Sequence, residues 1–324
     1  MRKLIHILAI LIVALGFTTT LLAKQKQTKT NQIIVKGPNV KIEREYTLFQ
    51  ASGNQRPTAT QASNYIEADI IKYFSSKNYT ISEGNVVFRN LEKKIEINAG
   101  YSEFYGNTGD VTFTKSPRMY LSNNNMYIGG EKVYLNVNED KVNVEKNTFV
   151  TNENIKAVAD KVEYTSKDNL AKMIGNVSIS SSNMNIKSDI AYISIFSNVV
   201  SNYIGYGNVV VESKNITSKS EYLIATFKSS NEIDKYLMLT NVILDGKDIY
   251  VEAFKMSGFI SNFVEGVKTN YLKYYNFFGT SQKQVYYQNK KEETTLECDS
   301  LEVIMDENNE LISSTAKGKV KVIK

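Results

Sequence analysis

A motif of glycine, asparagine and a following apolar residue returns through this chain at intervals. It first occurs at Gly84, within the stretch "ISEGNVVFRN", and it recurs at Gly175 and Gly207. A weaker form, with lysine in place of asparagine, stands at Gly318 near the C-terminus. One such motif would mean little, but four copies indicate that one structural unit is used repeatedly.

An acidic residue is a second marker that keeps the same phase. The interval from Asp69 to Gly84 is 15 residues, and so is the interval from Asp160 to Gly175. Two markers that keep a constant spacing indicate a repeating unit of about 30 residues. Weaker copies of this unit begin near Ile97 and Ile128. The acidic marker returns at Asp189, Glu221 and Asp299. We predict a structural role, at turns or strand ends, for Asp69, Gly84, Asp160, Gly175, Asp189 and Gly207.

Within each unit the apolar residues occupy every second position, which is the period of a β-strand and not of a helix. Gly and Asn precede these rows, as expected where a strand is entered from a turn or bulge. The sequence therefore predicts an all-β chain of antiparallel strands, two to each repeat. Because alternate strand residues share one face, an interior apolar row is predicted at Val86, Phe88, Val177, Ile179, Val209, Val211, Val242 and Leu244.

The N-terminus has the order of a secretory signal peptide: a basic start, an apolar run over residues 4–17, and Ala23 before a polar stretch. An uncleaved membrane anchor is the alternative, and either interpretation predicts that the remainder of the chain is exported. We divide the chain into a signal peptide or anchor at 1–23, a polar linker at 24–62 that includes one short strand, and a repeat domain at 63–324. Residues 277–293 break the period and are interpreted as a longer loop or hairpin insertion.

Several function classes are excluded by composition. The single histidine, His6, lies in the N-terminal leader, which removes the commonest general base and histidine-ligated zinc from the repeat domain. We predict no catalytic residue, no metal and no cofactor. The net charge of +5 is small and scattered, so no nucleic-acid partner is expected. The lone Cys298 lies in an alternating run and is interpreted as a buried apolar residue.

The repeat resembles the OstA-like family, which includes the periplasmic lipopolysaccharide-transport proteins LptA, LptC and the N-terminal domain of LptD. Asp69, Asp160, Asp189, Gly84, Gly175 and Gly207 carry the resemblance. It implies an elongated, twisted, incompletely closed β-jellyroll whose two sheets splay apart, with acyl chains in the apolar slot between them. It also implies a non-enzymatic protein that carries lipopolysaccharide or a lipooligosaccharide-like glycolipid toward the outer membrane.

An open jellyroll leaves unpaired strands at its two ends, which are templates for another sheet. We predict edge pairing with other jellyroll transport proteins, or with a second copy, through residues 66–74 and 311–323. Lys317, Lys319 and Lys321 would limit uncontrolled growth at the C-terminal edge. The alternative function is a structural or adhesive exported β-solenoid that transports no lipid.

Overall fold

A computed structural model describes residues 32–323, except 123–124, 154, 166, 182–183, 197–198, 230–231 and 265–266. The leader predicted from the sequence lies outside the described residues. Apart from one 3-10 turn at Ser75–Lys77, the regular structure is β-strand. No helix of the described part has the length and apolarity that crossing a membrane requires.

The strands follow one another along the chain with short connections. Their bounds are β1 Ile34–Lys36, β2 Asn39–Ile42, β3 Thr47–Gln50, β4 Thr58–Gln61, β5 Asn64–Glu67, β6 Ile70–Phe74, β7 Tyr79–Asn90, β8 Ile95–Tyr105, β9 Asp110–Thr114, β10 Arg118–Leu121, β11 Met126–Gly129, β12 Lys132–Asn136, β13 Lys141–Thr151, β14 Lys156–Thr165, β15 Leu170–Ser180, β16 Met184–Phe196, β17 Val199–Ser213, β18 Ile216–Ser229, β19 Glu232–Gly246, β20 Ile249–Val264, β21 Val267–Phe278, β22 Val285–Asn289, β23 Thr294–Cys298, β24 Ser300–Met305, β25 Leu311–Lys317 and β26 Lys321–Ile323.

Every pairing between the described strands is antiparallel. The strands β7, β8, β13 and β20 change one partner at their middle, whereas β14–β19 keep both neighbours and shift register there. The first part of β7 pairs with β6 and its second part with β5, with a register shift on the β8 side between Glu83 and Val86. The strands therefore form two half-sheets that are joined along one side, which we call the spine. The first half-sheet contains β1, β4, β5, β10, β11, β22, β23 and β26, the second contains β2, β3, β6, β9, β12, β21, β24 and β25, and the long strands β7, β8 and β13–β20 contribute to both. This architecture confirms the predicted antiparallel, jellyroll-like all-β fold.

The geometry of the spine explains why the two sequence markers keep a constant phase. Gly84 has φ +75° and Asn85 has φ +43°, so both occupy the left-handed region at the bulge of β7. The Asn85 side-chain amide donates to Asp69 Oδ2 at 2.8 Å, and a Cβ on Gly84 would lie 2.5 Å from that oxygen. Only glycine therefore fits without displacement. The same bond joins Asn176 to Asp160 and Asn208 to Asp189, each at 2.9 Å.

The spine also contains copies of the motif that lack glycine. Lys146-Asn147 and Thr240-Asn241 have positive φ at the equivalent places in β13 and β19. The Asn147 amide donates to Glu131 Oε1 at 2.8 Å, so a glutamate takes the role of the aspartate there. The repeat is consequently more continuous in three dimensions than in sequence.

The core lies between the two half-sheets and is built from the alternating apolar residues. Phe88 of the first half-sheet contacts Phe113 of the second, with ring centroids 5.5 Å apart. Both side chains are fully buried, and each contributes roughly 1.5–3 kcal/mol by leaving water. Cys298 is likewise completely buried.

The sheet begins earlier than the sequence indicates. Four strands, β1 to β4, lie within the segment predicted as a polar linker, and they hydrogen-bond to one another and to β5 and β6. The predicted N-terminal edge at residues 66–74 is therefore wrong, because β5 and β6 are flanked on both sides. The polar composition misleads because β2 is exposed along its whole length.

The C-terminal strands end the sheet where the sequence predicts an edge. In the described residues β25 pairs only with β24, and β26 pairs only with β23. The break predicted at residues 277–293 contains the end of β21, a loop at 279–284, β22 and the turn before β23. That loop replaces the short bulge of other repeats at the spine.

Candidate functional site

The hairpin turns of the two half-sheets face each other on the side opposite the spine, and we call this line the seam. Its N-terminal part is closed by contacts between segments that lie 44 to 47 residues apart in the chain. These contacts are Ile33 N to Asn78 Oδ1 at 2.9 Å, Gln61 Nε2 to the Gly106 carbonyl at 2.9 Å, and Lys93 Nζ to the Val137 carbonyl and to Asp140.

The C-terminal part of the seam is closed by residues 306–310, which we call the strap. Asp306 Oδ1 accepts from the backbone N–H groups of Asn308 and Glu310 at 2.9 and 2.8 Å, which holds the strap in a tight turn. Lys214 Nζ donates to Asn308 Oδ1 at 2.9 Å, across 94 residues of chain. The two residues that meet across the seam here are about twice as far apart in the sequence as those of the N-terminal contacts.

Two cavities lie between the half-sheets in the region between these closures. The first has a volume of about 60 Å³ and is bordered at the seam by Asn152, Ile155 and Ser181. Its walls come from both half-sheets and are almost wholly apolar. They include Ala157, Ala171, Met173, Ile179, Ile186 and Tyr203.

The second cavity, of about 220 Å³, adjoins the first at Met184, which lines both. Its apolar walls include Val211, Leu223, Ile233, Met238 and Met256. Its polar wall contains Ser213, Ser218, Lys273 and Asn309. The two cavities together provide a continuous apolar lining along the middle of the molecule.

The eight residues predicted to line the slot divide into two groups. Ile179 and Val211 are half-buried and line the first and second cavities, respectively. The other six are buried in the packed core and line neither cavity: Val86, Phe88, Val177, Val209, Val242 and Leu244. Their outward neighbours Val87, Ser178 and Val210 are half-buried.

Sequence reasoning missed the small residues that make room for the cavities. The position three residues before the acidic marker holds Ile66, Ile97 and Ile128 in the N-terminal repeats, all fully or almost fully buried. The same position holds Ala157 and Ser218 in two later repeats, and these line the first and second cavities, whereas the repeat between them keeps an isoleucine, Ile186, which also lines the first cavity. A comparison of side-chain volumes between repeats would have revealed this difference.

Two ionisable groups in the cavity walls have pKa values changed by burial. Burial raises the pKa of Tyr203 to about 12, and its hydroxyl is hydrogen-bonded to Ser188 at 2.9 Å. Burial lowers the pKa of Lys273, against the opposing effect of Asp306 and Glu307. Among the described residues no three His, Cys, Asp or Glu side chains converge as metal ligands would. The site is therefore suited to binding an apolar molecule with a polar end.

A comparison with family models finds that residues 65–198 match the LptA/LptD N-terminal domain family of lipopolysaccharide-transport proteins. No curated protein matches the chain significantly. The match includes the closed core and most of the first cavity, and the bulge geometry of the matched part recurs beyond it at Gly207 and Gly318. Over residues 65–198, the family match thus supports the resemblance of the repeat to OstA-like lipopolysaccharide-transport proteins that the sequence predicted.

Proposed function

We propose that this protein is exported to the periplasm and carries a glycolipid of the lipopolysaccharide or lipooligosaccharide type toward the outer membrane. The acyl chains lie between the half-sheets, and no catalysis is involved. The leader of the sequence, the family match and the pair of apolar cavities support this proposal.

The observation that carries the proposal is the apolar lining of the two cavities, which adjoin at Met184. Each buried methylene group contributes about 0.8 kcal/mol, so an acyl chain is held without any specific polar contact. The narrow first cavity needs the half-sheets to separate at the seam before a chain fits. The turn residues that border it at Asn152 and Ser181 lie where such an opening would occur.

Photo-crosslinking tests this proposal at single residues. A photoreactive amino acid at Ile179 or Val211 should capture lipooligosaccharide, because both side chains line a cavity. The matched controls are Ser178 and Val210, whose side chains point to the opposite face of the same strands. Equal capture at the inner and outer positions would contradict the proposal.

A crosslinker at a third position tests whether lipid binds only at the cavities or throughout the apolar interior. Phe88 is fully buried against Phe113, so a photoreactive residue there should capture little lipid. Strong capture at Phe88 would show that the half-sheets separate along their whole length and would relocate the site.

Edge pairing with jellyroll proteins, or with a second copy, is the second part of the proposal. Both ends of the sheet expose apolar side chains next to unpaired backbone: Ile34, Val40 and Ile42 at one end, and Ile312, Val320 and Val322 at the other. Pairing β1/β2 with β25/β26 would extend both half-sheets across two molecules. Val320→Pro should reduce concentration-dependent assembly in analytical ultracentrifugation, whereas unchanged assembly would exclude this edge.

A further inference from the structure

The second cavity has a polar wall that an acyl chain does not need. Lys273 of β21 lies in this wall beside Asn309 of the strap, and Ser213 and Ser218 complete it. The rest of the lining consists largely of methionine, aliphatic and tyrosine side chains. This distribution matches an amphiphile with one polar end.

Lys273 is held in place by neutral acceptors. Its Nζ donates to Asn309 Oδ1 and, at 3.3 Å, to the Glu307 carbonyl. Lysine has three N–H donors, so one remains for a further acceptor. None of the ion pairs between described residues includes Lys273, although Asp306 and Glu307 lie near enough to oppose the lowering of its pKa.

The strap fixes the position of this ammonium group. Asn309 is only 2% exposed, and its amide also donates to the Lys214 carbonyl across the seam. Lys214 Nζ donates a hydrogen bond to the preceding strap residue, Asn308. The positive charge of Lys214 further lowers the pKa of Lys273. Lys273 is therefore the one cation among the described residues that line this cavity, since Lys214 lies outside the lining, and Asp306 and Glu307 stand near Lys273 without pairing with it.

A second polar group in the same cavity lacks a partner. The Tyr236 hydroxyl is buried and makes no hydrogen bond of acceptable geometry within the described residues. Burial raises its pKa well above the ordinary value, and the neighbouring Tyr275 adds to that effect. The Tyr236 ring packs over Gly258, its cross-strand partner, where a Cβ would lie 2.1 Å from the hydroxyl oxygen. A buried unpaired hydroxyl is costly, but this oxygen has no accessible surface toward the cavity, so the case for a polar ligand group rests on Lys273.

We propose that the second cavity is a head-group site, in which Lys273 binds the oxyanion of an amphiphile whose chain runs along Met238, Met256 and Met184 toward the first cavity. This proposal rests on the proposed lipid-carrying function and adds to it the chemical class of the polar end. A phosphate and a carboxylate share the required chemistry, because each accepts a hydrogen bond from an ammonium group.

Binding of three amphiphiles with the same chain tests this site. Decyl phosphate, decanoate and decanol are titrated calorimetrically into the full-length protein below their aggregation concentrations. The two anions should bind about tenfold more tightly than the alcohol, as expected for a charge-assisted hydrogen bond. A preference for the phosphate alone would identify phosphorylated lipids as the class.

Variants of Lys273 provide the decisive comparison. Lys273→Met should bind all three compounds with the affinity of the alcohol, and Lys273→Gln, which keeps hydrogen-bond donors, should do the same. Lys235→Met is the matched control, because Lys235 is exposed on the neighbouring part of β19. This control should keep the full preference for anions.

The two proposals fail in different ways. If decanol binds at the cavities and a folded Lys273 variant keeps the anion preference, the head-group site is wrong and the apolar site stands. If none of the three compounds binds, and lipooligosaccharide is not captured at Ile179 or Val211, the lipid-carrying function is wrong as well.

Discussion

The N-terminal and middle regions of this molecule use the same repeat but differ in how their interiors are filled. Around β7–β9, Phe88, Phe104 and Phe113 fill the space between the half-sheets, and turn contacts close the seam. Around β14–β19, Ala157 and Ser218 stand where the earlier repeats have isoleucine, although Ile186 keeps that residue in the repeat between them, and two cavities lie in this region. The spine geometry is alike in both regions. Side-chain volume at a few equivalent positions therefore separates a solid core from a cavity.

The largest expected effect comes from a carboxylate placed in each interior. Val86→Asp should destabilise the fold by more than about 4 kcal/mol, because the charge is buried without a partner in a packed core. Val211→Asp should be tolerated better, because Val211 is half-buried beside a cavity, and it should prevent lipid binding. Urea unfolding and lipooligosaccharide binding measure the two outcomes. Equal destabilisation of both variants would mean that the middle region is also a solid core.

Alanine at the spine glycines tests the feature that the two regions share. A Cβ at Gly84 or Gly207 would meet an aspartate oxygen at 2.5 or 2.3 Å, and both residues have positive φ. Each Gly→Ala change should cost about 2 kcal/mol of unfolding free energy, with similar values in the two regions. Urea denaturation with circular dichroism provides the measurement. A difference above about 1 kcal/mol would show that the spine is not equivalent in the two regions.

The pH dependence at Tyr203 reports whether water enters the first cavity. The folded pKa of about 12 exceeds the ordinary value of 10, so Tyr203 contributes stability that is complete below pH 10 and is lost between pH 10 and 12. The stability advantage of the wild type over Tyr203→Phe should therefore shrink by about 1 kcal/mol between pH 7 and pH 11. Unfolding free energies at the two pH values measure it. An advantage that does not change would mean that Tyr203 titrates normally in a wet cavity.

The smallest effects are expected at the seam lysines. Lys93 is 24% exposed and binds Asp140, whereas Lys247 is 60% exposed and pairs with Glu310 at 3.2 Å. Lys93→Met should cost about 1 kcal/mol and Lys247→Met about 0.3 kcal/mol, because exposed ion pairs are screened by water. The urea midpoints of the two variants provide the comparison. The reverse order would show that the C-terminal closure is the stronger one.

Much of the fold was predictable because its signals are local. The alternation of apolar residues identifies strands, and the Gly-Asn bulge with its aspartate identifies the points where strands shift register between the half-sheets. The bulge at Lys146-Asn147 escaped notice because it lacks the glycine that marks the others, whereas the repeat at Thr240-Asn241 was recognised from its apolar row at Val242 and Leu244. The strands of residues 34–61 were missed because exposed edge strands bury few apolar side chains, and the period of two is then weak.

The candidate site was only partly predictable. Of the eight residues of the predicted interior row, six are buried and two are half-buried, yet strand periodicity says only which face a residue occupies. Whether that face meets a filled core or a cavity depends on residues from the opposite half-sheet, which are distant in sequence. Ile179 and Phe88 occupy the same place in the repeat, but Phe88 contacts Phe113 and Ile179 lines a cavity.

The sequence by itself determined the repeat, the strand content and the bulges, because each depends on backbone preferences within a few residues. The tertiary structure alone decided where the seam closes and where the interior opens. Those features arise from contacts such as that of Lys214 with Asn308, which are 94 residues apart. Neither local propensity nor the repeat period predicts which turns meet across the seam. The pairing of turns depends on how many strands of the two half-sheets lie between one turn and the other.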